Sequence, residues 1–516
     1  MPYKNSVDTN TSHFNLDVSG VAGFFGGEEA ISAMQTIHLY KYRKWMGWYN
    51  SPGSWNVGKR FGMLANSRFW DGLFPGPNED PATFFELDGK QGPKYVASRS
   101  GSILEHTGHL AYLMMQTCKE ELGVHVKGRV TKRNKVTLIQ TQLVFEESTA
   151  KEKPPVRTIL PHGGHRTRVA ILPIAVSFTT CALCGWTYDW FCCSMILLGI
   201  ISSGLSSLVI GSASLELQGV KPAPTAPPGD GMLMDGDSIV LLLGKEENVA
   251  TITRGKFTLN YEPWVKKRSR KEKSKRPVPR DGTKSTNLNR RSDAEAGLQD
   301  HSLEHGPNQE AIPIRDEYAA IGLCSLLLVI QLLAQLLLIP QGTFFGQIMF
   351  LSSFAASWAY NLYLSSIDKE YIQEQLLLKI LNLDERHMRT CSLGTRTTAA
   401  VFACLMLQPP GVYAESEWKR LGFEPEGIIC KFIPNNTPVW ITWREKVLGV
   451  MRDRKVRSRD TCYDLLQMSD EEKDMFEPND QNLLEHLLED ARTAYDLAMS
   501  EQHWLGSGME HPVGDQ

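Results

Sequence analysis

The chain has 516 residues and a formal charge of −3, long enough for several domains and too near neutrality for net charge to steer it to nucleic acid. Its ten cysteines are scattered, several inside apolar runs, which excludes the dense disulfide framework of a small secreted domain and reads as reduced thiols. The mean hydropathy of −0.25 suits a soluble protein, but it averages over four concentrated apolar runs.

The N-terminal "MPYKNSVDTNTSHFNLD" has no apolar core behind a basic start, so no cleaved signal peptide is expected and membrane insertion would use internal segments. Residues 1–150 read as an N-terminal cytosolic α+β region. "GGEEAISAMQTIHLYKYRKWMGWYN" opens with acids in a first helical turn, a second helix is predicted from Ser102 to Glu121, and "HVKGRVTKRNKVTLIQTQLVFE" alternates as strands do. Trp45, Trp48, Trp55 and Trp70 gather beside Lys41, Arg43, Lys44, Lys59 and Arg60. They fit an aromatic core or a surface seated at lipid headgroups.

A basic linker, 151–168, precedes four runs without any Asp, Glu, Lys, Arg or His: 169–186, 191–211, 319–339 and 344–364. Each is long enough to cross a hydrocarbon layer as a helix, and the very short connectors pair them into hairpins at 169–211 and 319–364. Arg157, Arg166, Arg168, Arg315, Lys369 and Lys379 flank the outer ends, whereas the connectors carry no base and one acid, Asp189. The charge bias predicts cytosolic termini and a cytosolic middle loop, with Trp186, Tyr188 and Trp190 at an interfacial tip. It leaves plasma membrane and endomembrane open.

Two sets of small or polar residues mark helix packing. Gly199, Ser203, Ser207 and Gly211 recur every four residues on the second run, a ridge that permits close approach and is expected to meet the first run or a second copy. Gln331 and Gln335 on the third run face a stripe of Ser353, Ser357 and Asn361 on the fourth, and hydrogen bonds between them are expected to hold that hairpin together. A polar pathway is the functional alternative, weakened by the lack of ionisable residues.

The middle loop, 212–318, combines a stiff "KPAPTAPPGDG" spacer, a small β meander over 237–262 and a polybasic, disordered tract over 264–307. Lys266, Lys267, Arg268, Arg270, Lys271, Lys273, Lys275 and Arg276 are expected to contact anionic lipid headgroups. Residues 365–516 read as a mostly helical cytosolic region. "TTAAVFACLMLQPP" is too short to span and fits a soluble core, Ser469 and Glu472 form a capping box, and Leu484, Leu487, Leu488, Ala491 and Tyr495 share one helix face.

The paired hairpins and the stretch "GDSIVLLLGKEENVATITRG" resemble an uncharacterised type of fungal multi-span integral membrane protein, a resemblance that implies no activity. The motifs add none. "GSWNVGKR" lacks the hydroxyl that follows Lys in a phosphate loop, "HGGH" has no GxSxG partner, Cys181 and Cys184 lie inside an apolar run, and His106 with His109 beside Glu105 lack a third metal ligand. The expected fold is mixed, four helical spans with α+β cytosolic regions and disordered linkers. No catalytic, metal or cofactor site is expected. The expected function is a non-catalytic membrane anchor or scaffold presenting cytosolic domains to lipid or protein partners, or to a second copy. The alternatives are a transporter or channel subunit and, third, a membrane enzyme using His106 and His109.

Overall fold

Helix α1 (Gly27–Gln35) and helix α2 (Ser54–Gly62) bracket an irregular stretch in the computed structural model, which describes residues 26–141 except 78, together with 156–159, 165–261, 318–383, 387–453 and 459–507. Strands β1 (Lys94–Ala97) and β2 (Ile103–Leu104) form a hairpin, so the helix expected from Ser102 begins only at His109, as α3 (His109–Glu120). Strands β3 (Val124–His125), β4 (Asn134–Gln140) and β5 (Val156–Thr158) lead to α4 (Ile171–Trp186) and α5 (Trp190–Ile210). Next come β6 (Ser214–Gln218), β7 (Gly231–Asp235), β8 (Ser238–Leu243), α6 (Glu246–Arg254) and β9 (Lys256–Asn260). The third part holds α7 (Ala319–Leu338), α8 (Phe344–Ser365), α9 (Lys369–Ile380), β10 (Met388–Leu393), α10 (Arg396–Leu407), α11 (Pro438–Arg452) and α12 (Pro478–Ser507).

Among the described residues three helices are long and apolar enough to cross a membrane, 168–186, 190–210 and 319–341, in place of the four spans expected. The fourth run does form a single helix, α8, but Gln347, Ser352, Ser353, Ser357 and Asn361 lower its hydropathy. The four helices nonetheless make one bundle. Within the bundle α7 packs on α5, and α8 on α4; the first hairpin also closes on itself through α4 and α5, whereas α7 and α8 are held apart. At the tips, the buried Asp189 carboxylate caps α5 through the Cys192 amide and accepts from both the amide and the hydroxyl of Thr343, 2.7 Å each.

The rest of the described chain is built around a seven-stranded mixed sheet in the order β2-β1-β7-β8-β4-β10-β3. Its strands come from all three regions that the sequence separates by apolar hairpins. β4 runs parallel to β8 and antiparallel to β10. Central strands covered on both faces become continuous apolar runs, and "SIVLLL" of β8 is one. Ile239 and Leu241 point into a core with α10, α11 and α12, while Val240 and Leu242 point into the core that continues toward the bundle. Helix α10, the short apolar run, is buried on every side, as an all-apolar helix must be in water. The face of Leu484, Leu487, Leu488, Ala491 and Tyr495 on α12 is buried in the same core, and Ser469 and Glu472 form the capping box, which opens a short helix before α12.

The meander expected over 237–262 is not formed. Its middle is helix α6, with Glu246 and Glu247 in the first turn and Val249, Ala250 and Ile252 buried; only the ends, β8 and β9, are strands, and they belong to different sheets. Acids at a helix start complement its positive end, a signal the alternation of "VATITRG" masked. β9 pairs with β6, and β6 with β5, in a three-stranded antiparallel sheet.

On α9 the Glu374 side chain is buried, and that burial, followed by the negative charges of Glu120, Asp368 and Glu370, pushes its pKa up to about 7 from the usual 4.5. The native state therefore holds the proton more tightly than the unfolded chain, a contribution complete below pH 4.5 and lost as pH rises through 7. Glu374→Gln should match wild type in unfolding experiments at pH 4.5 and exceed it at pH 8 by roughly 2 kcal/mol. An equal difference at both pH values would discount the role given to Glu374.

Candidate functional site

Residues 43–53 enter the helix bundle as non-helical chain. Tyr42 and Gly53 take left-handed conformations at the two ends (φ 68° and 73°), and Arg43–Trp45 make a single tight turn. Backbone outside a helix or sheet must find other hydrogen-bond partners when buried, and the bundle provides them.

Asn50, fully buried, is the most connected residue. Its backbone N–H donates to Ser177 of α4 at 3.0 Å, its side-chain amide donates to Ser353 of α8 at 3.0 Å, and its carbonyl accepts from Gln335 of α7 at 3.4 Å. Beside it the Tyr49 hydroxyl donates to Asn361 at 3.0 Å, and the Asn361 amide donates to Ser51 at 3.1 Å. Gln331 accepts from Ser202 of α5. Ser353 lies nine residues into α8 from the tip, which puts Asn50 at a depth of about 13.5 Å along that helix.

The small-residue ridge faces this segment. A methyl group added at Gly47 would stand 2.1 Å from the Ser207 hydroxyl, one at Gly204 would strike the Trp48 ring, one at Gly199 would strike Asn50, and one at Gly211 would meet Lys44. Gly199, Ser203, Ser207 and Gly211 thus admit residues 44–50 rather than the first helix. Likewise Gln331, Gln335, Ser353 and Asn361 are bonded, but not to one another: Gln331 bonds α5, and the other three bond the inserted chain. Ser357 is buried, with an unpartnered hydroxyl. Sequence reasoning found the sockets and missed Tyr49 and Asn50, which fill them. The available signal was an excess of polar groups on two apolar helices, with Ser202 and Ser206 beside the ridge, more than a two-helix contact requires.

Arg43 is the one buried charge in this layer among the described residues, 2 % exposed. Its Nη2 donates to the Tyr49 hydroxyl at 3.4 Å, and its guanidinium lies over the Tyr360 ring, 5.5 Å from the centroid. Among the described residues no carboxylate pairs with it, and its Nε and Nη1 have no partner. Next to it is a cavity of about 20 Å³ whose polar lining includes Arg43, Tyr49, Ser203, Ser206, Ser207 and Asn361.

The aromatic cluster divides. Trp48 and Trp70 pack on the helices at Gly204 and Gly322, whereas Trp45 and Trp55 are exposed. "GSWNVGKR" is the start of α2, set against α7 where Gly58 meets the Ser325 carbonyl, with no loop to cradle phosphate. His109 is buried, its Nε2 2.8 Å from the Gln373 side chain and its pKa lowered by that burial, while His106 is exposed; among the described residues no cluster could hold a metal. Cys181 and Cys193 approach to 3.8 Å between α4 and α5 as thiols. The basic residues from Lys266 to Arg276 lie outside the described residues.

No protein-family model, curated protein or solved structure matches the chain.

Asn50→Ala would leave Gln335 and Ser353 facing an apolar gap and should cost about 2 to 4 kcal/mol in thermal unfolding of the detergent-purified protein. Ser352→Ala, on the exposed side of α8, is the control and should be neutral. Equal effects from the two would mean that Asn50 does not hold the bundle.

Proposed function

We propose that the chain is an integral multi-pass membrane protein, a non-catalytic anchor whose four-helix bundle carries one soluble α/β domain on a single face of a bilayer. The observation that supports it is the bundle's reversed polarity. Ser177, Ser202, Gln331, Gln335, Ser353 and Asn361 are buried inside, while Leu172, Phe178, Leu197, Ile201, Leu205, Leu323, Ile330, Leu333, Leu337 and Phe345 are exposed outside. Water would reward the opposite arrangement, and an apolar surface this extended calls for an apolar solvent. The exposed Trp186, Tyr188 and Trp190 at one tip suit an interfacial belt. All three soluble parts join in one sheet at the other end, as the positive flanks demand of a cytosolic face. Lys266, Lys267, Arg268, Arg270, Lys271, Lys273, Lys275 and Arg276 then supply headgroup contact from the same side. A protein partner or second copy on the soluble domain belongs to the same proposal.

A transporter or channel subunit is the second reading. Irregular chain inside a helix bundle, carrying a buried arginine, favours it, because such backbone survives at membrane depth only inside protein. Reconstituted protein that moves a solute across liposomes would promote it over the anchor.

The anchor reading predicts that the protein stays in the membrane pellet after alkaline carbonate extraction. A glycosylation acceptor inserted after Trp186 should be modified, and tags at Asn289 and the C-terminus should be reached from the cytosol. Release into the supernatant would end the membrane reading; a lumenal tag would end the orientation.

A further inference from the structure

We propose that the cavity beside Arg43 binds a single monoatomic anion, chloride being the most available. Arg43 carries an uncompensated charge. A guanidinium does not lose its proton in a protein, and a buried cation without a counter-charge is costly unless something negative joins it. Arg43 is buried beside α5 and α8, and its contacts with the Tyr49 hydroxyl and the Tyr360 ring are neutral. Two of its nitrogens, Nε and Nη1, donate to nothing, and the Ser206 hydroxyl on the cavity wall is also unpartnered. Ser203 and Ser207 can turn their hydroxyl protons toward the same space, Ala33 and Leu328 close it with carbon, and among the described residues no Asp or Glu lines it.

Size then selects the class. The cavity is small, about 20 Å³, and suits a monoatomic anion better than sulfate, phosphate or a carboxylate with their several heavy atoms. A water molecule would satisfy the donors but leave the charge. A halide satisfies both. The site lies inside the protein and does not depend on what surrounds the bundle, so its failure leaves the anchor reading untouched, and the reverse holds.

The test uses the full chain in detergent, with sodium chloride, gluconate and sulfate at equal ionic strength and pH. Chloride should raise the unfolding temperature saturably and broaden the chloride NMR line, while gluconate and sulfate should do neither. Added bromide should reverse the broadening by competition. Arg43→Gln should abolish the chloride dependence, and Ser206→Ala should weaken it several-fold. Identical unfolding in chloride and gluconate, or a chloride effect that survives in Arg43→Gln, would overturn the site and leave water as its occupant. Should Arg43→Gln not fold, Ser206→Ala decides: a weaker chloride dependence supports the site and an unchanged one overturns it.

Discussion

The hydrogen bonds of Asn50 to three helices are the constraint on which the rest of the bundle rests. Ser177, Gln335 and Ser353 belong to α4, α7 and α8, and each would lose a hydrogen-bond partner if the inserted segment withdrew. An unmade bond inside a low-dielectric interior costs more than a made one contributes. The segment and the helices therefore stand or fall together. The glycines and serines of α5 are small because a piece of chain, Gly47 to Asn50, must pass where larger side chains would sit.

The same constraint ties the bundle to the sheet domain. Helix α1 lies against α8 and helix α2 against α7, on either side of the inserted segment, so the chain entering and leaving the bundle is itself packed on its outer half. From there one continuous core runs from Ala30, Ile37 and Phe61 through α3 to Leu233, Val240 and Leu242 on the sheet. The second face of that sheet is closed by α10, α11 and α12. Bundle and domain are in this sense two ends of one packed body.

Some of this was legible in the sequence, for identifiable reasons. Helix-length runs without charge, basic flanks and the period of small residues report directly on local chemistry, and α4, α5, α7 and α8 lie where those signals put them. Ser353 and Asn361 were recognisable as polar residues needing partners. Their partners were not, because Tyr49 and Asn50 sit some 300 positions away in a stretch whose aromatic and basic composition reads equally well as core or surface. Helix α6 was hidden because Val249, Thr251 and Thr253 alternate as a strand would, and only the packing of α6 against α3 overrides that. The shared sheet was invisible for a topological reason: no local pattern states that β4, β8 and β10 are neighbours.

That shared sheet bears on how the protein is made. β4 leaves the ribosome before the first hairpin, β8 after it, and β10 only after the second, yet β4 lies between the other two. Until the second hairpin and β10 have been made, β4 keeps an unpaired edge of Val136, Leu138 and Ile139, the kind of template that captures other chains. Completion of the sheet is thus a checkpoint: the sheet domain matures only once both hairpins have been made, and a chain stalled in between presents a sticky strand for chaperones to cover or proteases to find.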